Sequence, residues 1–138
     1  TFSFYAGVER LITKLSRAGI PLAIVTAGMH DRIVRSVPAG FLSQFKAIIT
    51  GEKTKRNKPF PDPYLTAAEE LGVPIAECIV VENAPLGIEA AKAAGAFCIA
   101  ISSTLDPRLL SAADAVVSRF HDIENIPLVR GMLRFADY

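Results

Sequence analysis

An α/β fold built on a parallel sheet is predicted by two features of this sequence. Short, continuously apolar runs recur along the chain, at Leu22–Val25, Ala47–Ile49, Ile79–Val81 and Phe97–Ile101. Segments with helical patterning separate these runs, and Gly and Pro mark the boundaries. Continuously apolar strands that alternate with helices are typical of a parallel sheet covered by helices on both faces. We therefore predict a single domain over residues 1–138.

Each helix is predicted from its apolar spacing and its end signals. In the stretch 7–18, Val8, Leu11, Ile12 and Leu15 form one apolar face, and Gly19 is placed to end the helix. Further helices are predicted over 31–37 (before Pro38), 61–70, 86–94 and 107–112, with a partly helical tail from residue 122. Ala115–Val117 is predicted as a short edge strand.

The composition excludes several classes of partner. The 138 residues are 51% hydrophobic and carry a net charge of +1, with acidic and basic residues interspersed. We therefore expect neither nucleic acid nor a membrane surface as a partner. No apolar run approaches the roughly 20 residues that span a bilayer. Cys78 and Cys98 lie in apolar runs, which favours two buried free thiols in a cytoplasmic protein.

Residues suited to phosphate chemistry follow three of the predicted strands. Ligands of open α/β sheets bind beyond the carboxyl ends of the strands. Thr26 could donate its hydroxyl there, and the backbone N–H groups of Ala27 and Gly28 could cradle an oxyanion. Lys58, in a basic loop, could neutralise phosphate charge, while Glu82 and Asn83 offer the oxygen ligands that Mg²⁺ prefers.

Plainer interpretations exist for several of these residues. Taken alone, Thr26 would more often be a helix N-cap, and Glu82 could be a surface carboxylate. Asp62 fits a first-turn helix charge with a secondary role in holding Lys58. The remaining candidates are expected to be ordinary solvated residues: Lys53, Lys55, Arg56, His30 and His121.

Three segments of the chain resemble motifs of the haloacid dehalogenase superfamily. Val25–Gly28 resembles its second motif, Lys58–Tyr64 its third and Val80–Gly95 its fourth, within a match from about Gly7 to about Ile123. The β-phosphoglucomutase-like subgroup is the most similar. The resemblance implies a Rossmann-like core and Mg²⁺-dependent phosphoryl transfer from a small phosphorylated metabolite, of the sugar-phosphate class, through an aspartyl-phosphate.

The same resemblance assigns roles to residues. It makes Thr26 and Lys58 catalytic and phosphate-binding, with Ala27 and Gly28 completing the phosphate site. It makes Glu82 and Asn83 metal ligands, although the subgroup usually has Asp where Asn83 stands. The lost charge is expected to leave Mg²⁺ binding weak or absent in this chain.

The chain departs from the family in having no Asp-x-Asp, the first motif, whose first Asp is the nucleophile. We expect that motif, with the first strand and the cap, on an N-terminal segment outside this chain, and the chain alone to be inactive. The family's first strand is central, so we expect a separate segment or a second copy to fill its position. The alternative is a non-catalytic remnant or interaction domain. A receiver-type signalling module fits less well, because there the acidic cluster precedes the hydroxyl.

Overall fold

A computed structural model describes residues 7–102 and 106–133 of the chain. Its five strands are β1 (Ala23–Val25), β2 (Ala47–Ile49), β3 (Ile79–Glu82), β4 (Phe97–Ile101) and β5 (Ala115–Val117). Each coincides with a predicted strand to within a residue at either end. The α/β fold class is thereby confirmed.

All three strand pairings within the described residues are parallel, as predicted. β1 pairs with β2 so that Ile24 lies opposite Ile48. β3 pairs with β4, placing Val80 opposite Cys98, and β4 pairs with β5. These pairings form a two-stranded sheet, β1–β2, and a three-stranded sheet, β3–β4–β5.

Most helices begin and end close to the predicted signals, whereas the short helix α3 was not predicted. They are α1 (Val8–Arg17), α2 (His30–Ser36), α3 (Ala39–Leu42), α4 (Asp62–Leu71), α5 (Pro85–Ala94) and α6 (Pro127–Leu133). Gly72 ends α4 and Gly95 ends α5, both in the left-handed conformation that glycine adopts without steric cost. The described residues also contain three short 3₁₀ segments, at Ile75–Glu77, Pro107–Leu110 and Phe120–Asn125, so the predicted helix at 107–112 is a shorter 3₁₀ turn.

Helices cover both faces of the three-stranded sheet, while the two-stranded sheet packs against α4. On one face α4 and α5 pack against the strands, with Tyr64, Val80, Ile88 and Cys98 in a shared core cluster. On the other face α1, α6 and the 3₁₀ segment Phe120–Asn125 bury a second cluster that includes Ile99. This layered packing brings the carboxyl ends of the strands to an open edge where ligands of such folds bind.

A groove of about 460 Å³ separates β1 from β3, and we call it the inter-sheet groove. Its walls are mostly apolar and come from both strands, from α4 and from the helices of the opposite face. The expectation that every strand is buried on both sides is therefore wrong here. All three β1 residues are only half-buried, and Val81 of β3 is 40% exposed.

Neither cysteine of the chain forms a disulfide. Cys98 is buried, as predicted, but Cys78 is half-buried. None of the helices in residues 7–102 and 106–133 combines the length and the hydropathy that crossing a bilayer requires.

Candidate active site

Lys58 and Glu82 form a largely buried ion pair just beyond the carboxyl end of the three-stranded sheet. The Lys58 Nζ lies 2.6 Å from the Glu82 Oε1, and only 8% of the Glu82 side chain is exposed. Glu82 closes β3, while Lys58 comes from the loop that follows β2. The surface-carboxylate interpretation of Glu82 is therefore wrong, because the side chain is buried and paired.

Two further residues fix the position of the Glu82 carboxylate. The buried hydroxyl of Tyr64, on α4, donates a hydrogen bond to the same Oε1 that Lys58 reaches. The backbone N–H of Asn83 donates to Oε2 at 3.2 Å. Gly87, in the first turn of α5, lies so close that a Cβ on it would overlap the carboxylate. The carboxylate thus rests on the amino end of α5, where the helix dipole favours negative charge.

Burial and the Glu82 charge also shift the ionisation of neighbouring groups. Burial raises the pKa of the Tyr64 phenol well above its ordinary value, and the Glu82 carboxylate raises it further. Burial likewise raises the pKa of the Cys98 thiol to about 11, with Glu82 and Asp114 adding to the shift. Tyr64 therefore stays a neutral donor and Cys98 a protonated thiol at physiological pH.

Thr26 directly follows β1, and its loop is tied to the loop after β2. The Thr26 Oγ1 accepts a hydrogen bond from the Gly28 N–H at 3.1 Å, which leaves the hydroxyl proton available for donation. The N-cap interpretation of Thr26 is wrong, because Met29 precedes the first residue of α2. Gly51 approaches so closely that a Cβ on it would lie 2.6 Å from the Ala27 carbonyl oxygen.

The structure thus joins Lys58 to Glu82 and places Thr26 at the end of β1, the strand across the inter-sheet groove from Glu82. Both Val25, the residue before Thr26, and Glu82 line that groove. The assignment of Thr26, Ala27 and Gly28 to a phosphate site remains a prediction.

Two other basic residues of this loop pair elsewhere. The Arg56 guanidinium forms a bidentate ion pair with the Asp62 carboxylate, with N···O distances of 2.9 and 3.2 Å. The Lys53 Nζ lies 3.4 Å from the Glu70 Oε1. Asp62 therefore holds Arg56, whereas Lys58 is held by Glu82, so the secondary role suggested for Asp62 is wrong. The reason is position, because the side chain of Arg56 in the loop reaches Asp62 at the start of α4, whereas that of Lys58 reaches Glu82 at the end of β3.

Glu82 and Asn83 do not by themselves fit a magnesium centre. Among residues 7–102 and 106–133, no three His, Cys, Asp or Glu side chains gather closely enough to hold a metal ion. One Glu82 oxygen is shared by Lys58 and Tyr64, and the other accepts from Asn83. One carboxylate and one amide are too few for an octahedral ion that takes oxygen ligands.

Tyr64, Gly87 and Glu52 were assigned no site role from the sequence. Tyr64 and Gly87 lie inside the motif-like segments, but only the three-dimensional contacts reveal that they hold Glu82. Glu52 accepts the His30 N–H at 2.8 Å and so satisfies a donor at the start of α2. This contact could not be predicted from the sequence, because His30 and Glu52 are 22 residues apart and no local pattern links them.

Comparisons with known proteins agree with this architecture. The family model described as haloacid dehalogenase-like hydrolase matches residues 1–101. The chain is 40% identical over 125 residues to hexitol phosphatase A of Escherichia coli (strain K12), covering 90% of this chain and 56% of that protein. It is 32% identical over 118 residues to β-phosphoglucomutase of Bacillus subtilis (strain 168), covering 85% of this chain and 50% of that one.

The fold itself recurs in solved structures. The crystal structure of a haloacid dehalogenase-type phosphatase from Thermococcus onnurineus superposes with a TM-score of 0.81 at 26% identity, covering 90% of this chain and 58% of that one. The chain thus spans about half the length of the relatives it matches. With a family model that covers most of its residues and relatives above 30% identity, the chain belongs to the haloacid dehalogenase-like hydrolase family.

Proposed function

We propose that this chain is part of a phosphohydrolase or phosphomutase that acts on a small phosphorylated metabolite of the sugar-phosphate class. The observation that carries the proposal is the Lys58–Glu82 pair at 2.6 Å, beyond the carboxyl end of a parallel sheet. The names of its relatives, a hexitol phosphatase and a β-phosphoglucomutase, support this substrate class.

The proposed reaction passes through an aspartyl-phosphate. A carboxylate oxygen attacks phosphorus, the P–O bond to the metabolite breaks, and the leaving oxygen takes a proton. Water, or a second hydroxyl in a mutase, then cleaves the acyl phosphate. Lys58 would neutralise the charge of the transferred group, and Thr26 would donate its hydroxyl to a phosphate oxygen.

The nucleophile would come from residues other than these 138, because they contain no Asp-x-Asp. Magnesium is proposed to bind this chain weakly or not at all, since Glu82 and Asn83 are its candidate ligands. The two free thiols fit the proposed cytoplasmic location.

A second candidate function is a non-catalytic remnant or interaction domain of the same family. Two observations favour it, the lack of Asp-x-Asp and the amide of Asn83 where the subgroup usually has a carboxylate. The two candidates differ in whether the phosphate site still binds its ligand.

Titration of the isotope-labelled chain with inorganic phosphate, followed by NMR, tests the proposal. We expect amide shifts at residues 26–28 and at Lys58. The affinity should fall at least about tenfold in the double variant Lys58→Met/Glu82→Gln, because one charge-assisted hydrogen bond is worth about 1.5 kcal/mol or more. The double variant avoids leaving Glu82 buried without its partner.

Lys55→Met is the matched control, because Lys55 is an exposed cation of the same loop. It should leave phosphate affinity nearly unchanged. Equal losses in the two variants would indicate general attraction to a basic loop, and shifts that avoid residues 26–28 would exclude the proposed site.

A further inference from the structure

The residues proposed to bind phosphate form a short loop that makes few hydrogen bonds of its own. We call residues 26–28 the candidate phosphate loop. Within it, the Gly28 N–H donates to the Thr26 Oγ1 at 3.1 Å, while the Ala27 N–H finds no acceptor among the described residues. Donors stabilise an anion best when they are already held in place. The contacts that hold this loop therefore bear on how tightly it would bind phosphate.

The chain that follows β2 runs against the candidate phosphate loop in backbone contact. The Thr26 N–H donates to the Ile49 carbonyl at 2.9 Å, and the Gly51 N–H donates to the Gly28 carbonyl at 3.1 Å. Gly51 does not have a left-handed backbone, but a Cβ on it would lie 2.6 Å from the Ala27 carbonyl oxygen. Glycine at position 51 thus permits an approach that any side chain would prevent.

Glu52 holds the chain at the far end of this loop. Its Oε1 accepts from the N–H of His30, the first residue of α2, at 2.8 Å. The hydroxyl of Thr50, a residue that is only 2% exposed, lies 3.5 Å from the same Oε1. Hydrogen bonds to the chain that follows β2 therefore flank the loop at both ends, at Thr26 and at His30.

The negative charge of Glu52 gives its role a testable sign. A carboxylate held at His30, which comes soon after the candidate phosphate loop, repels a phosphate bound there. The adjacent Lys53 pairs with Glu70 and not with Glu52. If Glu52 acted through its charge alone, its removal would strengthen phosphate binding. If Glu52 acts by holding the loop, removal of its hydrogen-bond acceptor weakens phosphate binding instead.

We propose that Glu52 and Gly51 are positioning residues for the candidate phosphate loop. Glu52 holds the N–H of His30, and Gly51 holds the Gly28 carbonyl while leaving room for that of Ala27. The Thr26 hydroxyl and the Ala27 N–H thereby keep one arrangement before an anion arrives. Neither positioning residue touches the phosphate. The inference rests on the proposed function for its consequence, whereas the order of the loop is a property of the phosphate-free chain.

Two substitutions at position 52 separate the hydrogen bond from the charge. Glu52→Gln keeps an oxygen that accepts from His30 and loses the charge, whereas Glu52→Ala loses both. Titration of the isotope-labelled 138-residue chain with inorganic phosphate, followed by NMR, is the measurement. We expect Glu52→Gln to bind phosphate as well as the unsubstituted chain or better. Glu52→Ala should bind about fivefold or more weakly, since fewer chains hold the loop in its binding arrangement. Equal affinities in the two variants would overturn the proposal.

Loop order is measured separately, without phosphate, as backbone order parameters from NMR relaxation. Glu52→Ala and Gly51→Ala should lower these parameters at residues 27–30, and Glu52→Gln should restore them. Gly40→Ala is the matched control for Gly51→Ala, because a Cβ at Gly40 would meet no neighbouring atom within 4 Å. Unchanged order parameters in Glu52→Ala would overturn the proposal.

Should Gly51→Ala fail to fold, the two variants at Glu52 still decide. Lowered order parameters in Glu52→Ala, with no phosphate binding even by the unsubstituted chain, would retain Glu52 as a residue that positions this loop. The same result would reject the proposed function, so the two failures are distinguishable.

Discussion

At the scale of single residues, the site depends on the absence of one side chain. Gly87 lies in the first turn of α5, in a helical conformation that any residue can adopt, so backbone freedom does not explain it. Position 87 requires glycine for lack of space, because a Cβ there would overlap the Glu82 carboxylate. Glu82 has little room to move, since Lys58 and Tyr64 hold one oxygen and the side chain is buried.

Gly87→Ala should therefore destabilise the protein, although Gly→Ala within a helix ordinarily stabilises by up to about 1 kcal/mol. Displacing Glu82 from its buried partners should cost about 1–3 kcal/mol, measured by urea unfolding. Gly131→Ala is the control, because Gly131 lies in α6 and a Cβ added there would meet no neighbouring atom within 4 Å. It should be neutral or stabilising, and a similar loss in both variants would contradict the argument from space.

At the scale of elements, Asp114 connects a helix to two strands. Its Oδ2 accepts from the Cys98 N–H and from the Lys92 Nζ, both at 2.7 Å, while its own N–H donates to the Cys98 carbonyl. Lys92 also donates to the Ala96 carbonyl, near the end of α5. The Lys92 contact and the Cys98 N–H hold the pKa of Asp114 below its ordinary value. One carboxylate thus joins the start of β4, the approach to β5 and the last turn of α5.

Asp114→Asn should lower stability at neutral pH by about 1–2 kcal/mol, through weaker bonds to Lys92 and the buried Cys98 N–H. Because folding lowers the pKa of Asp114, its contribution is complete above the ordinary value near 3.8 and declines as pH falls through the folded-state pKa. Urea unfolding at pH 7 and pH 3 should show the two proteins converging at the lower pH. Asp106→Asn removes an exposed carboxylate that pairs with Arg108 two residues away, and should have less effect at pH 7. A difference that persists unchanged at pH 3 would contradict this assignment.

At the scale of the whole molecule, the Lys58–Glu82 pair lies beside the inter-sheet groove, which separates the two sheets. Lys58 and Glu82 are positioned by contacts within the described residues, through Tyr64 and Asn83. A covalent nucleophile of the family type has no counterpart in the sequence, which contains no Asp-x-Asp. The proposed phosphate binding can therefore be tested apart from covalent chemistry.

The 138-residue chain alone should show no phosphatase activity above the uncatalysed background. Without a covalent nucleophile the proposed reaction path is lost, whatever the state of Lys58 and Thr26. Release of p-nitrophenol from p-nitrophenyl phosphate, with and without Mg²⁺, is the measurement. Turnover that depends on Mg²⁺ and is abolished by Lys58→Met/Glu82→Gln would mean that another residue serves as nucleophile.

Local patterns predicted the strands well because each is a short apolar run with clear boundaries, as at Phe97–Ile101. Topology and motif resemblance together placed Lys58 and Glu82 at the same edge of the sheet, but their ion pair was not predicted, because Asp62 was the partner suggested for Lys58. Its supporting contacts did not, because hydrogen bonds across 18 residues, as between Tyr64 and Glu82, leave no local pattern. The exposure of Val81 was also unpredictable, since an apolar run cannot report that a neighbouring position in the sheet is open.

The inter-sheet groove also bears on how cooperatively the chain unfolds. No described hydrogen-bond ladder crosses it, so β1–β2 and β3–β4–β5 are joined through side-chain packing. α4 contributes to that packing, because it contacts both β1 and β2 and also packs on α5. Loosening of α4 would release the two-stranded unit while the three-stranded unit kept its own ladder and core. The two sheets are thus candidates for separate folding units, coupled through the packing of α4.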